Sequence, residues 1–338
     1  MGRRSVSARD VASLAGVSRA SVSRCFTPGA SISAATRARV LAAAETLGYQ
    51  VNRLASGLIR NETGLVALIA AEIATPYRAA MIAALTRQLQ AAGKLGVLID
   101  SERAEDSVSR ALRQAIAYRA DAAIILSGMP AAALAETCAR NGMRLVLINR
   151  DEDRPGSLRI RLDDALAGRQ ACAQLLAAGC RRLALASSAA ATASLVARED
   201  GFCAAARAAG IDLLEVRRGA TGYETGLDLG MLLLARPDRP DGIFCTTDLL
   251  ACGVLDVARW RLGIPVPEAL SVIGHDDIAQ AGWEGYALAT FAQPVEEMAR
   301  AAVDWLCAPA GPAAERRLAA RLVPRASLRR PVAPAPRG

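Results

Sequence analysis

Arg19, Ser21, Ser23 and Arg24 fall within one short segment, Arg19 to Phe26, whose inward side is marked by Val22. Guanidinium groups donate to base edges and to phosphates, and hydroxyls reach phosphate oxygens. Carried on the outer face of a short helix, these residue types are suited to reading a DNA major groove. Such a helix needs a support, and the flanking sequence supplies one. VSARDVASLAGVSRASVSRCF (6–26) contains two apolar-periodic segments separated by Gly16, the pattern of a helix-turn-helix. Ser7 with Asp10 three residues on is a capping-box-like start, and Val11 and Leu14 share a face at helical spacing. Gly16 gives the permissive backbone for the turn, and Ser18 is placed to cap the second helix. A third helix is expected from Ser33 as N-cap to Gly48 as stop, with Val40, Leu41, Ala44 and Leu47 as its buried stripe.

The charge distribution fits this reading. Residues 1–63 hold nine arginines against Asp10, Glu45 and Glu62, so they supply +6 of the chain's net +8. A local cationic field attracts a polyanion and makes the association salt-dependent. The 338 residues are enough for two or three domains with a sizeable core. No apolar run approaches the about 18 residues of a membrane span, and no secretory leader is recognisable behind Arg3 and Arg4. Eight scattered cysteines without a CxxC pair read as buried small hydrophobes in a reducing cytoplasm, not as disulfides or a zinc site.

After Thr63, apolar runs of strand length alternate with helical stretches. The runs are 64–71, 94–100, 122–128, 144–149, 159–162, 182–187, 242–247 and 270–274, and the last strand is expected within RLVPRASL (321–328). Continuous apolar strands alternating with helices imply parallel sheets covered on both faces, and their number implies two doubly wound lobes. Ligands of such folds sit at the carboxyl ends of strands. Asp100, Asn149, Arg150, Asp163, Asp164, Thr246 to Asp248 and His275 to Asp277 lie at such ends, and Thr75 to Arg78 open the first crossover helix. Carboxylates, an amide, guanidiniums and a ring suit a small polyhydroxylated ligand. Most of these aspartates also precede a helix, where capping alone would explain them. GxGxxG, GxxxxGK[ST] and GxSxG are all absent, and a single histidine offers little acid–base chemistry, so an enzyme is not expected.

These motifs, in order, resemble the lactose-repressor (LacI/GalR) family of bacterial transcription regulators: DVASLAGVSRASVSR (10–24), SISAATRARVLAAAETLGY (31–49), Asn52–Ala55–Leu58, TPY (75–77), LINRD (147–151), RLDD (161–164), AREDGF (197–202), FCTTDLLACGVLD (244–256), IPVPEALSVIGHDDI (264–278) and ATFAQPVEEM (289–298). The resemblance implies an α/β protein with a three-helix headpiece (1–50), a hinge helix (51–62), and a two-lobed core like periplasmic sugar-binding proteins (63–330). The N-lobe would comprise 63–161 and 292–330, the C-lobe 162–291, followed by a disordered tail (331–338). By position, Arg19, Ala20 and Arg24 would face base edges, with Arg19 and Ala20 setting operator preference. Ser7, Ser18, Ser21 and Ser23 would contact phosphates. Asn52 and Arg53 would follow the backbone near the minor groove. With Ala55 in register, Leu58 would wedge a base step open. Effector contacts would come from Tyr77, Arg78, Asp163, Arg198, Thr221, Asp248 and Asp276, with Asp100 added as a strand-end carboxylate. Arg78 stands where an aromatic is common, and with Arg198 it would favour an anionic ligand such as a sugar acid. His275 replaces an aromatic and is read as core-packed or aspartate-paired, with no metal and no cofactor.

The implied function is a ligand-responsive repressor, a cytoplasmic homodimer on a palindromic operator, controlled by a sugar, polyol or sugar acid. No leucine heptad follows the last strand, so a tetramerising coiled coil is not expected. The alternative is a solute-binding protein with no DNA role, which would call for a leader and no headpiece.

Overall fold

The computed structural model describes residues 6–27, 29–51, 62–101, 106–150, 152, 154, 156–309 and 311–330. The chain divides into two compact units, Met1–Gly64 and Leu65–Gly338. In the first, helices α1 (Ala8–Ala15), α2 (Arg19–Cys25) and α3 (Ala34–Leu47) pack on one another. Each begins at a serine whose hydroxyl accepts from a first-turn amide: Ser7 from Asp10, Ser18 from Ser21, and Ser33 from Thr36. Asp10 closes the capping box by accepting from the Ser7 amide at 2.8 Å. Gly16, at φ +63°, adopts the left-handed turn and returns its N–H to the end of α1.

The headpiece core is Val11, Ala12, Ala15, Val22, Cys25, Val40, Ala43 and Ala44, with Phe26 against Tyr49 at one side (5.8 Å between ring centroids). Arg37 ties α3 to the end of α2 by donating to the Cys25 carbonyl at 2.9 Å. Two expectations fail here. Leu14 is 54% exposed and Leu41 46% exposed. The inward stripes are instead Val11–Ala12–Ala15 and Val40–Ala43–Ala44, because small residues let three short helices approach closely while the longer leucines point outward.

The second unit holds two six-stranded sheets. The first sheet is built from β1 (Leu65–Ala70), β2 (Leu95–Asp100), β3 (Ala122–Ile125), β4 (Arg144–Ile148), β5 (Leu158–Leu162) and β11 (Ala314–Leu318), in the order β11-β5-β4-β3-β1-β2. Its ladders are all parallel. Helices α4 (Pro76–Ala91), α5 (Ser107–Ala117), α6 (Ala132–Arg140) and α11 (Val295–Cys307) belong to this lobe. The second sheet is built from β6 (Leu183–Ser187), β7 (Leu214–Arg217), β8 (Gly242–Cys245), β9 (Ser271–Asp276), β10 (Ala289–Ala292) and β12 (Arg321–Val323), in the order β12-β10-β9-β8-β6-β7. Only the β10–β12 pair is antiparallel. Helices α7 (Asp164–Ala177), α8 (Ala193–Ala208), α9 (Tyr223–Leu234) and α10 (Asp248–Asp256) cover it. The central strands are buried on both faces, which is why they read as unbroken apolar runs.

The lobes therefore exchange chain differently from the expected partition. Residues 292–330 do not all join the N-lobe: β11 completes the first sheet, but β12 pairs with β10 and Ser327 bonds Val272 and Ala289 in the second. The short β7, β10 and β11 and the helix α6 escaped the sequence reading. Two are edge strands with alternating or exposed residues, and α6 is a short alanine-rich helix. Among the described residues, no helix is long and apolar enough to cross a membrane.

Two helix pairs approach unusually closely, and glycine permits it. A Cβ at Gly168 on α7 would lie 2.1 Å from the Arg198 carbonyl oxygen, and one at Gly201 on α8 would lie 2.1 Å from that of Ala165. Gly226 and Gly253 play the same part between α9 and α10. The Gly-Phe of AREDGF thus brings α8 onto α7, and Phe202 packs on Phe244 at 5.1 Å. Gly201→Ala is expected to lower stability by about 2 kcal/mol, because the backbone overlap outweighs the about 1 kcal/mol helix preference of alanine. Gly222→Ala, whose Cβ meets nothing within 4 Å, should stay within about 0.5 kcal/mol. Urea unfolding of the two variants checks the contrast.

Candidate functional site

The headpiece presents α2 as a two-sided helix. Val22 and Cys25 are buried, while Ser18, Arg19, Ala20, Ser23 and Arg24 are exposed and Ser21 is half-buried. No hydrogen bond or ion pair holds the Arg19 guanidinium among the described residues, whereas Arg24 lies back along its helix, Nε donating to the Ala20 carbonyl at 3.4 Å. The Ser7 and Ser18 hydroxyls serve as caps first: Ser7 Oγ donates to Asp10 at 2.7 Å, and Ser18 Oγ lies 3.0 Å from Ser21 Oγ. Asn52, Arg53, Ala55 and Leu58 lie outside the described residues.

In the second unit, polar side chains from both lobes converge where strands end. Tyr77 packs against the apolar clusters of both sheets, and Asn149 Nδ2, after β4, donates to its hydroxyl at 3.4 Å. Arg198 is buried, and the close α7–α8 crossing decides what it meets. Its Nε donates to Asp164 at 2.7 Å, its Nη1 donates to the Thr246 carbonyl at 2.9 Å, and Asp276 lies at 3.7 Å. The facing carboxylates raise its pKa against the opposing effect of burial. Asp276 Oδ1 accepts from Gln293 at 2.7 Å and lies 3.2 Å from His275 Nδ1. Burial, and then the Arg198 charge, push the His275 pKa below its ordinary value, so the imidazole is neutral near pH 7. It stacks on Phe291, with Nε2 3.9 Å from Asp164. Among the described residues no group of three or more His, Cys, Asp or Glu is arranged to hold a metal.

The backbone is strained at this point. Asp276 has φ +129° and Asp277 φ +56°, and Asn149 is also left-handed at φ +54°. Such conformations persist only where surroundings enforce them, and they cluster at ligand sites. Arg325 holds Asp277 at 2.7 Å and Gln293 holds Asp276. Buried polar atoms without a protein partner gather in the same region: Asn149 Oδ1, Thr247 Oγ1, His275 Nε2, Gln293 Oε1 and Arg78 Nε. Burying such atoms costs free energy unless something else bonds them.

The predicted contact residues divide accordingly. Tyr77, Arg78, Arg198 and Asp276 come together. Asp248 is adjacent but structural: it is buried, Ile278 N–H donates to one oxygen at 2.9 Å and the Thr290 hydroxyl to the other. Gly274 leaves room for it, since a Cβ there would lie 2.2 Å from Asp248 Oδ1. Asp163 is the N-cap of α7, accepting from Leu166 N–H at 2.9 Å. Thr221 bonds Ser188 at 2.7 Å, at the end of β6. Asp100 stands apart, exposed at the end of the edge strand β2, on an outer groove with Leu98, Gln114 and Tyr118. Asp164, rather than Asp163, meets Arg198, and Thr247 and Gln293 each keep a buried oxygen without a protein partner. Adjacent carboxylates look alike in sequence, and only the helix crossing shows which of Asp163 and Asp164 faces Arg198.

Burial, then the nearby Asp276 charge, push the Asp248 carboxyl up to about 7. A raised folded-state pKa means that the folded chain holds a proton the unfolded chain has released. Its stabilising contribution is complete below about pH 4 and declines as pH rises toward 7. Asp248→Asn keeps one acceptor for Ile278 and removes the titration. The unfolding free energy of the wild type relative to this variant should therefore fall by a few kcal/mol between about pH 4 and 7. Denaturant titrations across that range give the slope, and a flat difference would contradict this role.

The family description "Bacterial regulatory proteins, lacI family" matches residues 7–52, and "Periplasmic binding protein-like domain" matches residues 172–328. The chain is 30% identical over 298 residues to the HTH-type transcriptional repressor CytR of Escherichia coli, with 87% of each chain covered. It is 28% identical over 302 residues to the ribose operon repressor of the same species, covering 88% of this chain and 91% of that one. The lac repressor dimer, solved bound to operator and an anti-inducer, superposes with a TM-score of 0.83 at 23% identity, over 96% of this chain and all of that one. These relatives are DNA-binding regulators, not enzymes. With a helix-turn-helix headpiece ahead of a two-sheet core of the periplasmic-binding type, the chain belongs to the lacI family of bacterial regulatory proteins.

Proposed function

We propose that this protein is a transcriptional repressor that binds a palindromic operator as a homodimer in the cytoplasm and is controlled by a small polar effector at the junction of its two lobes. The observation that carries this reading is the division of α2, buried on Val22 and Cys25 and exposed on Arg19, Ala20, Ser23 and Arg24. A helix held only by its apolar side and studded with guanidinium and hydroxyl groups on the other fits a major groove. Apolar side chains left exposed on the core, Leu95, Val97 and Leu98 of the edge strand β2 and Trp260 and Trp283 of the second lobe, support pairing with a second copy.

Control follows from population shift. An effector joining Tyr77 and Asn149 of one lobe to Arg198 and Asp276 of the other favours one lobe arrangement, and operator affinity changes by its differential affinity for the two states. The hinge supplies the coupling, with Leu58 as the wedge that depends on paired hinge helices.

Selection from a random duplex library with the full-length protein should recover a twofold-symmetric site of about 14 to 20 base pairs. Its affinity should fall steeply with salt. Arg24→Ala should weaken that site by about tenfold or more, from the loss of about 1–3 kcal/mol of base contact. Leu58→Gly should reduce specific binding while leaving weak, salt-dependent association. Recovery of no preferred sequence, even in dilute buffer, would refute the reading.

A further inference from the structure

We propose that the effector is an anion of the sugar-acid class: a small polyhydroxylated monocarboxylate whose carboxylate pairs with Arg78 and whose hydroxyls meet Asn149 and Asp276. This rests on the effector reading given above. Charge compensation singles out Arg78. At the strand ends of the second lobe, buried Arg198 has Asp164 and half-buried Arg325 has Asp277. Arg78 has none. Its Nη1 donates to the neutral Leu126 carbonyl, its Nε is buried without a partner, and no carboxylate oxygen of the described residues lies within 4.0 Å of it. Glu72 and Asp276 act on it only from farther away, and burial lowers its pKa. A partly desolvated, uncompensated cation is costly and gains strongly from an incoming anion.

The local backbone adds to this. Arg78 lies in the first turn of the sixteen-residue helix α4, whose N-cap Thr75 makes no side-chain cap. Its hydroxyl donates back to the Glu72 carbonyl instead. The amides of Tyr77 and Arg78 therefore sit at the positive end of the helix without a capping oxygen from Thr75. Across the junction the charges are already balanced or negative, since Arg198 is shared between Asp164 and Asp276. The unpartnered oxygens of Thr247 and Gln293, with that of Asn149 on the first-lobe side, accept hydroxyl hydrogens rather than a second negative charge. One uncompensated guanidinium matches one carboxylate. A phosphate ester would bring about two charges to the same place.

The test is calorimetric titration of the full-length protein with matched pairs of acid and parent sugar: gluconate and glucose, galacturonate and galactose, ribonate and ribose, with glucose 6-phosphate as a separate arm. At least one acid should bind tenfold or more tightly than its parent sugar. Arg78→Gln should erase that difference, and Arg78→Lys, which keeps the charge, should retain a preference for the acid. The assignment is overturned if no acid outbinds its parent sugar, if Arg78→Gln leaves the preference intact, or if the phosphate ester binds most tightly. Operator binding is measured on the same preparation without ligand. Its absence would remove the regulator reading and leave the comparison of acids with sugars to be judged on its own.

Discussion

Arg198 is a full positive charge placed inside the protein, and the architecture around it follows from that placement. A guanidinium in the interior is tolerated only with carboxylates and acceptors in good geometry. Asp164 must stand 2.7 Å from it, which requires α7 and α8 to cross with backbones nearly touching. Gly168 and Gly201 make the crossing possible. Asp276 must approach from a third element, which draws the end of β9 into a left-handed conformation locked by Gln293. The residues that compensate the charge are thereby fixed at the ends of strands. Removing one partner would leave a buried charge exposed to the full desolvation cost, so the cluster behaves as a unit.

The same constraint acts across the second lobe. In the second lobe the buried ionisable groups have partners: Arg198 with Asp164, Asp248 with Ile278 and Thr290, Glu199 with Arg217 and Ser187. Both sides of the junction keep buried polar atoms unbonded, Arg78 Nε and Asn149 Oδ1 on the first and Thr247 Oγ1 and His275 Nε2 on the second. A ligand that satisfies the first side while touching the second links the lobes energetically. This is the physical requirement for an effector that changes their relative populations.

Much of this was legible in the chain. The serines at 7, 18 and 33, each three residues ahead of the amide they cap, mark three helix starts, and Gly16 marks the turn. The alternation of apolar runs with helical stretches gives two doubly wound sheets. What was not legible depends on packing. The burial of Ala43 rather than Leu41 follows from how closely three short helices approach. The choice of Asp164 over Asp163 as partner of Arg198, and the diversion of Asp248 into a buried strut, depend on helix crossings that no local pattern encodes. A strand within 321–328 was expected, but that it joins the second sheet depends on its long-range pairing with β10, which no local pattern encodes.

The central claim is that α2 enters the major groove of a twofold site. Dimethyl sulfate protection of guanine N7 on the selected duplex tests it most directly, since N7 lies in that groove. Protected guanines are expected in two symmetric half-sites about one helical turn apart. Binding that leaves every guanine N7 as reactive as in free DNA would contradict it.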